Sequence, residues 1–386
     1  MRQLEKKVYL TSEHVSPSHP DKVCDVLVEN LLYAVQSNNI RARFACDGSV
    51  KNNIVSLVGE ISDRLDSSKE NRIVLNTLEE LGYGTKYCEE FDLKAFGKRY
   101  GWYINKAFTT QSENIARGVD SEGENRASAG DIGIMYGYAT NETKNHTFAP
   151  HYVAKRILKE LYSRWKSGTC EDLRPDMKCL VTMAYVHGVP VSIEKVVVCI
   201  SHAKGAIDSV RSLVTNLTLS TLNLISYEYG WSYPDTISVN PTGDFYIYGP
   251  YADSGLVGRK IVCDQYGGAA PVGGGNLNGK DVTKVDRSGV YMARYIANRI
   301  VSEGLANKAM VQLAYEIGRP NAVSINVSTD GTPFWKNRKL RKFVSTFDTS
   351  VQGIIDTFHL YGMSKDVHKE CAMWGHIGSE LFPWEG

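Results

Sequence analysis

Gly267-Gly-Ala-Ala-Pro-Val-Gly-Gly-Gly-Asn-Leu-Asn-Gly-Lys-Asp-Val-Thr-Lys-Val-Asp286 is the stretch around which the chain is organised. Between Gly273 and Asp281 it sets four glycines ahead of Lys280. Glycine lets backbone N–H groups turn toward a ligand without interference from Cβ, which is how a chain cradles phosphates. Lys284 and Asp286 follow as a helix begins, with Asp281 as its expected cap, so cations and carboxylates converge on a positive helix end. The combination reads as a polyphosphate site with a bound divalent metal. Gly274-x-x-x-x-Gly279-Lys280 matches a Walker A loop up to its last position, where Asp281 replaces the magnesium-ligating Ser or Thr. A glycine-rich surface loop ahead of a helix is the plainer alternative.

The rest of the composition narrows the class. With 386 residues the chain can bury large cores and should divide into two or three domains. A net charge of +1, with 42% hydrophobic and 23% charged residues, leaves no electrostatic footprint for nucleic acid or an anionic membrane. No apolar run approaches a membrane span and no signal-like segment opens the chain, so a soluble, cytoplasmic protein is expected. The 8 cysteines stand far apart with no C-x-x-C pair, which speaks against a zinc site or a disulfide scaffold.

Taken in order, a strand at Val8–Leu10 precedes Thr11-Ser-Glu-His-Val-Ser-Pro-Ser-His-Pro-Asp-Lys22 and a helix with Val23, Val26, Leu27, Leu31 and Val35 on one stripe. Ser18 is its expected cap, and His19 and Asp21 ride at its N-terminus, where the dipole favours a neutral imidazole and a carboxylate. Two strands between Arg43 and Ile61 carry Asp47 and Glu60, a helix over 71–81 stops at Gly82, and a strand covers Trp102–Thr110. The segment 111–130 lacks periodicity and reads as a linker or, better, a mobile lid leading into Asp131.

Next come a helix over 153–165, a hairpin from Leu173 to Ser201 turning at His187-Gly-Val-Pro190, and a helix over 205–224. Ile237–Gly243 and Phe245–Pro250 read as a second hairpin. A helix over 284–302, strands over 310–317 and 322–327, and helices over 340–346 and 351–359 complete the pattern. Strand pairs alternate with helices about three times, which predicts an α+β chain of three similar α/β units, each a β-sheet covered by helices.

Carboxylates at Asp21, Asp131, Asp176, Asp253 and Asp286 and cations at Lys178, Arg259, Lys260, Lys280 and Lys284 all sit at element ends. The former suit magnesium and the latter polyphosphate. There is no Gly-x-Ser-x-Gly elbow, H-E-x-x-H or kinase signature, so no covalent protein nucleophile is called for.

These segments resemble the S-adenosylmethionine synthetase (methionine adenosyltransferase) family over nearly the whole chain. The resemblance is carried by Ser18-His-Pro-Asp-Lys22, Ala129-Gly-Asp131, Tyr136-Gly-Tyr-Ala-Thr-Asn-Glu142, Leu173-Arg-Pro-Asp176 with Lys178, Asn240-Pro-Thr-Gly243, Gly255-Leu-Val-Gly-Arg-Lys260, and Gly279-Lys-Asp281 with Lys284-Val-Asp-Arg-Ser288. It implies domains over 1–113, 127–235 and 236–386 with a lid over 111–130. It implies attack of methionine sulfur on C5′ of ATP, then cleavage of the displaced tripolyphosphate to pyrophosphate and phosphate.

By the same resemblance His19 bonds the departing O5′, and His19, Lys178, Arg259 and Lys280 are catalytic. Asp131, Asp176, Lys178, Phe245, Asp253, Arg259, Lys260, Lys280 and Lys284 hold ATP, with Phe245 on adenine. Glu60, Gln111, Asp253 and Lys284 face methionine. Asp21 and Asp286 each take one of two magnesium ions and Asp47 a potassium ion. A homodimer with shared active sites, pairing into a homotetramer, is the implied assembly, with ATP and L-methionine as small-molecule partners.

Departures from the family pattern are Ser18 for glycine, Asp47 for glutamate, Asn114 and Ile132 in the lid region, Asp244 for a basic residue, and Val272, Asn276, Leu277 and Asn278 in the phosphate loop. The loop changes are expected to insert bulk and amides among the phosphates. They motivate the alternative of a non-catalytic nucleotide-binding relative or regulatory subunit. An unrelated ATPase built on the near-Walker loop would leave the other motifs unexplained.

Overall fold

In chain order the elements are β1 (Val8–Val15), α1 (Pro20–Gln36), β2 (Phe44–Lys51), β3 (Ile54–Ile61), α2 (Ser67–Glu80), α3 (Thr85–Glu90), β4 (Lys94–Ala95), β5 (Arg99–Tyr100), β6 (Tyr103–Thr109) and β7 (Gly133–Thr140). They continue with α4 (Ala149–Lys166), β8 (Leu173–Val186), β9 (Val189–His202), α5 (Ile207–Tyr229), β10 (Ser238–Val239), α6 (Gly249–Ala252), β11 (Gly255–Leu256) and α7 (Ile261–Asp264). The last are α8 (Val285–Ser302), β12 (Lys308–Tyr315), β13 (Ser324–Thr329), α9 (Arg338–Val344), α10 (Val351–Phe358) and α11 (Lys365–Trp374). The structure is a computed structural model that describes residues 6–95, 99–110, 127–332, 334 and 336–386.

Three helix-covered sheets bear out the expected α+β architecture: β1-β8-β9-β10, β11-β2-β3-β6 and β13-β12-β7. Each recruits a strand from far along the chain. β1 pairs antiparallel with β8 so that Val15 faces Lys178, β11 reaches back to β2, and β7 pairs with β12 so that Gly133 faces Tyr315. The sheets therefore interlace across the spans 1–113, 127–235 and 236–386.

Helix α1 buries Val23, Leu27, Leu31 and Val35, the stripe its 3.6-residue period predicts, against β2, α2 and α11. The hairpin of β8 and β9 turns on His187 (φ 51°) and Gly188 (φ 80°), a two-residue turn whose twist suits long strands. In the C-terminal part Tyr291 and Trp384 stack with centroids 3.6 Å apart inside the core of α8, β12 and α10. Among the described residues no helix is long and apolar enough to cross a membrane.

Several local expectations are corrected. The cap of α1 is His19, whose side chain accepts from the Asp21 N–H, because the Ser18 hydroxyl is drawn away to the Leu81 carbonyl at 2.8 Å. Phe245–Pro250 forms no hairpin: the Asp176 carboxylate takes the Gly249 N–H at 2.9 Å and turns the chain into α6. Asp281 does not cap α8, which starts after Lys284; it is buried and accepts from the Phe44 and Thr283 N–H groups instead. Helix α11 had no expectation attached to it.

Candidate active site

The first charged group forms where the N-terminus of α1 meets the 255–260 segment. Pro20 suits the first turn, where its missing N–H costs nothing, and delivers Asp21 into the fold, 1% exposed. One carboxylate oxygen of Asp21 accepts from the Leu256 N–H at 3.0 Å and from Arg259 Nε at 2.9 Å; the other meets Lys260 Nζ at 2.6 Å. Burial pushes the Asp21 carboxyl up, but Lys260 and the Leu256 N–H outweigh it and hold it below the usual range.

His19 stands beside this pair. Its Nδ1 accepts the Asp21 N–H at 3.2 Å, so the neutral ring carries its proton on Nε2 and presents a donor. Burial and then Lys260 lower its pKa to about 4, against the opposing pull of Asp21. The imidazole is therefore neutral near pH 7.

Asp176, Lys178 and Asp253 surround the same centre. Burial raises Asp176 to about 7, opposed by the Gly249 N–H and reinforced by the Asp253 and Asp21 charges. Lys178 reaches Glu13 at 2.8 Å, a half-exposed ion pair across the β1–β8 register. Asp253 is exposed and accepts the Ser254 N–H at 2.8 Å.

The second group lies on the glycine loop. Lys280 Nζ meets Asp286 at 2.5 Å and Lys284 Nζ meets Asp281 at 2.9 Å. Loop and sheet are joined by reciprocal backbone bonds, Cys46 N–H to the Gly279 carbonyl and Asp281 N–H to the Phe44 carbonyl, each 2.9 Å. Gly279 permits this with φ +68°, where a Cβ would stand 2.5 Å from the Cys46 carbonyl oxygen. Gly275 leaves room for the Asp286 side chain instead, since a Cβ there would stand 2.1 Å from its carboxylate.

Beneath both groups runs a buried polar chain that the sequence reading missed. Arg287 Nε donates to the Tyr291 hydroxyl (2.9 Å), that hydroxyl bonds His376 Nδ1 (2.8 Å), His376 Nε2 bonds the Asn278 amide oxygen (3.0 Å), and Asn278 Nδ2 donates to Asp264 (3.1 Å). Lys22 closes it, bonding Asp264 at 2.5 Å and Asp25 at 2.9 Å. Asp25 then holds the Gly258 N–H at 2.9 Å, next to Arg259, while Glu29, paired with Arg287 at 2.6 Å, holds the Gly279 N–H at 3.0 Å.

Asn276 packs on Gly258, so the two loops touch. Leu277 and Asn278 are 0% exposed, which corrects the expectation that they crowd the phosphate face: their side chains point into the core. The spacing of Asp25 four residues after Asp21 on one helix face was the available signal for part of this chain.

The remaining candidates fall around these groups. On the open face of the β2–β3 sheet, Ala45 lies opposite Glu60 and is bridged by Lys280, and exposed Asp47 lies opposite Val58. Phe245, half-buried, is fastened by its N–H to His202 Nε2 at 2.9 Å. Asp131 is exposed, with the Ile132 N–H on its carboxylate at 2.7 Å. Gln111 and the lid residues 111–126 lie outside the described residues.

Among the described residues no three His, Cys, Asp or Glu side chains converge to hold a metal. Asp21 and Asp286 are single carboxylates facing ammonium groups, and either would suit a magnesium ion that takes one or two carboxylates and completes its shell with phosphate oxygens and water.

Comparison with known proteins shows the family. The chain matches the N-terminal, central and C-terminal domains of S-adenosylmethionine synthetase over residues 7–100, 126–245 and 247–386. It is 38% identical over 379 residues to the S-adenosylmethionine synthase of a Sulfurovum species, covering 97% of this chain and 95% of the relative. To the Pelagibacter ubique S-adenosylmethionine synthase it is 37% identical over 391 residues, 98% and 96% of the two chains. Among solved structures an unusual S-adenosylmethionine synthetase from Campylobacter jejuni aligns with a TM-score of 0.84 at 30% identity, over 98% and 96% of the chains.

Proposed function

The chain belongs to the S-adenosylmethionine synthetase family, and from that membership we infer that its two charged groups hold the triphosphate of ATP while methionine sulfur attacks C5′. It is a methionine adenosyltransferase, a metal-dependent enzyme that binds ATP and L-methionine and makes S-adenosylmethionine. Sulfur is already a soft nucleophile, so the protein's task is to orient it and to stabilise charge on the departing triphosphate.

The observation that carries the residue assignment is the neutral His19 beside Asp21, Arg259 and Lys260. His19 Nε2–H donates to the departing O5′. Arg259 and Lys260, now resting on Asp21, turn to phosphate oxygens when nucleotide arrives, and Lys178, Lys280 and Lys284 add their charge from the β8 strand and the glycine loop. Asp131 and Asp176 order the same region, and Phe245 packs on adenine. Glu60, Gln111, Asp253 and Lys284 face methionine.

Two magnesium ions, one near Asp21 and one near Asp286, would supply neutralising charge to the polyphosphate, and Asp47 would hold potassium. Hydrolysis of tripolyphosphate to pyrophosphate and phosphate completes the reaction. The domain spans 1–113, 127–235 and 236–386, the 111–130 lid and a cytoplasmic location belong to the same reading.

The active site is shared between copies in a homodimer that pairs into a tetramer. Supporting this, Lys280, Asp47 and Glu60 all border the open face of the β2–β3 sheet, where Ile54 and Val58 are also exposed. Part of the motive for a non-catalytic role, the bulk expected of Leu277 and Asn278 among the phosphates, falls away because both are in the core.

The test is to incubate purified protein with ATP, L-methionine and magnesium, with and without potassium, and to follow S-adenosylmethionine and each phosphate product by mass spectrometry. Sulfonium product with phosphate and pyrophosphate is expected. Unchanged turnover in Lys178→Ala or Asp286→Ala would defeat the assignment of those residues.

A further inference from the structure

A cleft beside α4 is unaccounted for by the reaction. Its walls are one face of that helix, with His151, Lys155, Arg156 and Lys159, together with Thr147 and the turn at Ile377, and it encloses 130 Å³. Lys155 lies four residues after His151 and four before Lys159, so the helix stacks these side chains in one row.

The charges around it do not balance. Arg156 has Glu228 at 2.5 Å and Lys159 has Glu370 at 2.5 Å, while Lys144 shares Glu228 at 3.0 Å. Lys155 has no carboxylate within ion-pair distance among the described residues; its ammonium donates to the Ile377 carbonyl at 3.2 Å. Glu385, the next acid toward the core, is taken by Arg294 at 2.6 Å and by the Gly378 N–H at 2.8 Å. Four cations thus meet two carboxylates, in a chain whose net charge is only +1.

Burial, then the Lys159 charge, push the Lys155 amine down to about 8, against Glu370, Glu385 and Asp264. An ammonium in such a place lacks a counter-charge. Behind the cleft wall, His14 packs on His151 with ring centroids 5.0 Å apart, and its buried Nε2 has no hydrogen-bond partner.

We propose that this cleft binds a small, doubly charged oxyanion of the phosphate class, with Lys155 as the central donor and Arg156 and Lys159 at the rim. At about 30 Å³ per water, its volume suits about four waters or one tetrahedral oxyanion with its nearest water. Among the described residues Lys155 has two N–H groups without a partner, and the neutral His151 wall admits the anion without a competing carboxylate. None of the residues assigned to the phosphates of the reaction lines the cleft, whose His151 wall backs onto Ser12 and Gly267.

The experiment is a calorimetric titration of inorganic phosphate into the full-length chain, wild type, Lys155→Met and Lys280→Ala, with sulfate as a second probe. The expected result is a saturable isotherm that survives Lys280→Ala and weakens at least tenfold in Lys155→Met. Equal binding by wild type and Lys155→Met overturns the proposal. Binding lost only in Lys280→Ala also overturns it, since phosphate then occupies the reaction site alone.

If Lys155→Met does not fold, the wild-type Lys155 amine is followed by NMR. Phosphate should raise its titration midpoint by about a unit, and an unmoved midpoint overturns the site.

Discussion

His19 acquires its role from where it sits. Because Nδ1 is spent on capping α1, the ring must carry its proton on Nε2, and burial together with Lys260 keeps it from gaining a second one. His19→Ala should lower kcat by about 10²–10³, the usual loss of one preorganised donor, and should cost about 1 kcal/mol of stability for the cap. His19→Asn retains both a cap acceptor and an N–H donor, so it should melt like the wild type and recover part of kcat; steady-state kinetics and thermal unfolding separate the two. Equal turnover in Ala and Asn variants would mean that the donor is not what matters. Asp176 makes a prediction in pH. Its folded pKa of about 7 lies above the ordinary carboxyl value of 3.8, so the folded chain binds the extra proton between those limits. That contribution to stability is complete below 3.8 and is lost as pH rises through about 7. Asp176→Asn keeps an acceptor for the Gly249 N–H but cannot titrate, so its stability relative to wild type should improve between pH 4.5 and pH 7.5 in urea unfolding. A gap that does not change with pH would show that Asp176 is already ionised in the folded chain.

At the scale of elements, the glycine loop divides its residues between two faces, and this determines what could be read in advance. Lys280, Lys284 and Asp286 were legible because cations and carboxylates at a helix start announce themselves by type and spacing. Leu277 and Asn278 were not, because period and propensity say nothing about which way an irregular loop faces. The answer depends on Asp264 and His376, 14 and 98 residues away along the chain. The same reason hides His19 behind Ser18: serine is the commoner cap, and it is the distant Leu81 carbonyl and Tyr162 hydroxyl that withdraw it. Phe245-Tyr-Ile-Tyr alternates like a strand, yet the Asp176 carboxylate bends its end into α6. Helices α1, α4 and α8, by contrast, were readable because their apolar stripes are properties of the segment itself. Asn278→Ala follows from the buried chain. It strips the partner from Asp264 Oδ2 and from His376 Nε2 in one step, so unfolding free energy should fall by about 1–3 kcal/mol per orphaned group. Because the loop backbone is also tied through Gly279 to Glu29, the remaining folded protein should bind ATP more weakly while keeping its affinity for methionine. Melting curves and separate KM values check both parts, and an unaltered melting temperature would show that the amide is dispensable.

At the scale of the whole molecule, the sheets interlace and each keeps one face open. Antiparallel β1 with β8 and β7 with β12, and the reach of β11 to β2, tie early, middle and late segments together, so no third of the chain can complete its sheet alone. Such pairing is non-local and leaves no periodic trace, which is why three units were visible in the sequence and their interlacing was not. The open faces carry Tyr9 on β1, Ile54 and Val58 on β3 and Ile134 on β7, apolar side chains 58%, 43%, 50% and 48% exposed. On β3 the same face holds Glu60, and across the register on β2 it holds Asp47, so a second copy covering Val58 would close over the proposed methionine and potassium positions. Val58→Lys places a charge at the centre of that surface, and in a twofold assembly it is placed twice, like against like. The variant should fold, since the side chain is solvent-exposed in the single chain, but sediment as a monomer at concentrations where the proposed wild-type dimer forms. Turnover should fall with the dimer fraction and recover, at least in part, as protein concentration is raised. A Val58→Lys monomer with full specific activity would show that each chain carries a complete site, and a variant that remains dimeric at every concentration would move the interface away from this sheet.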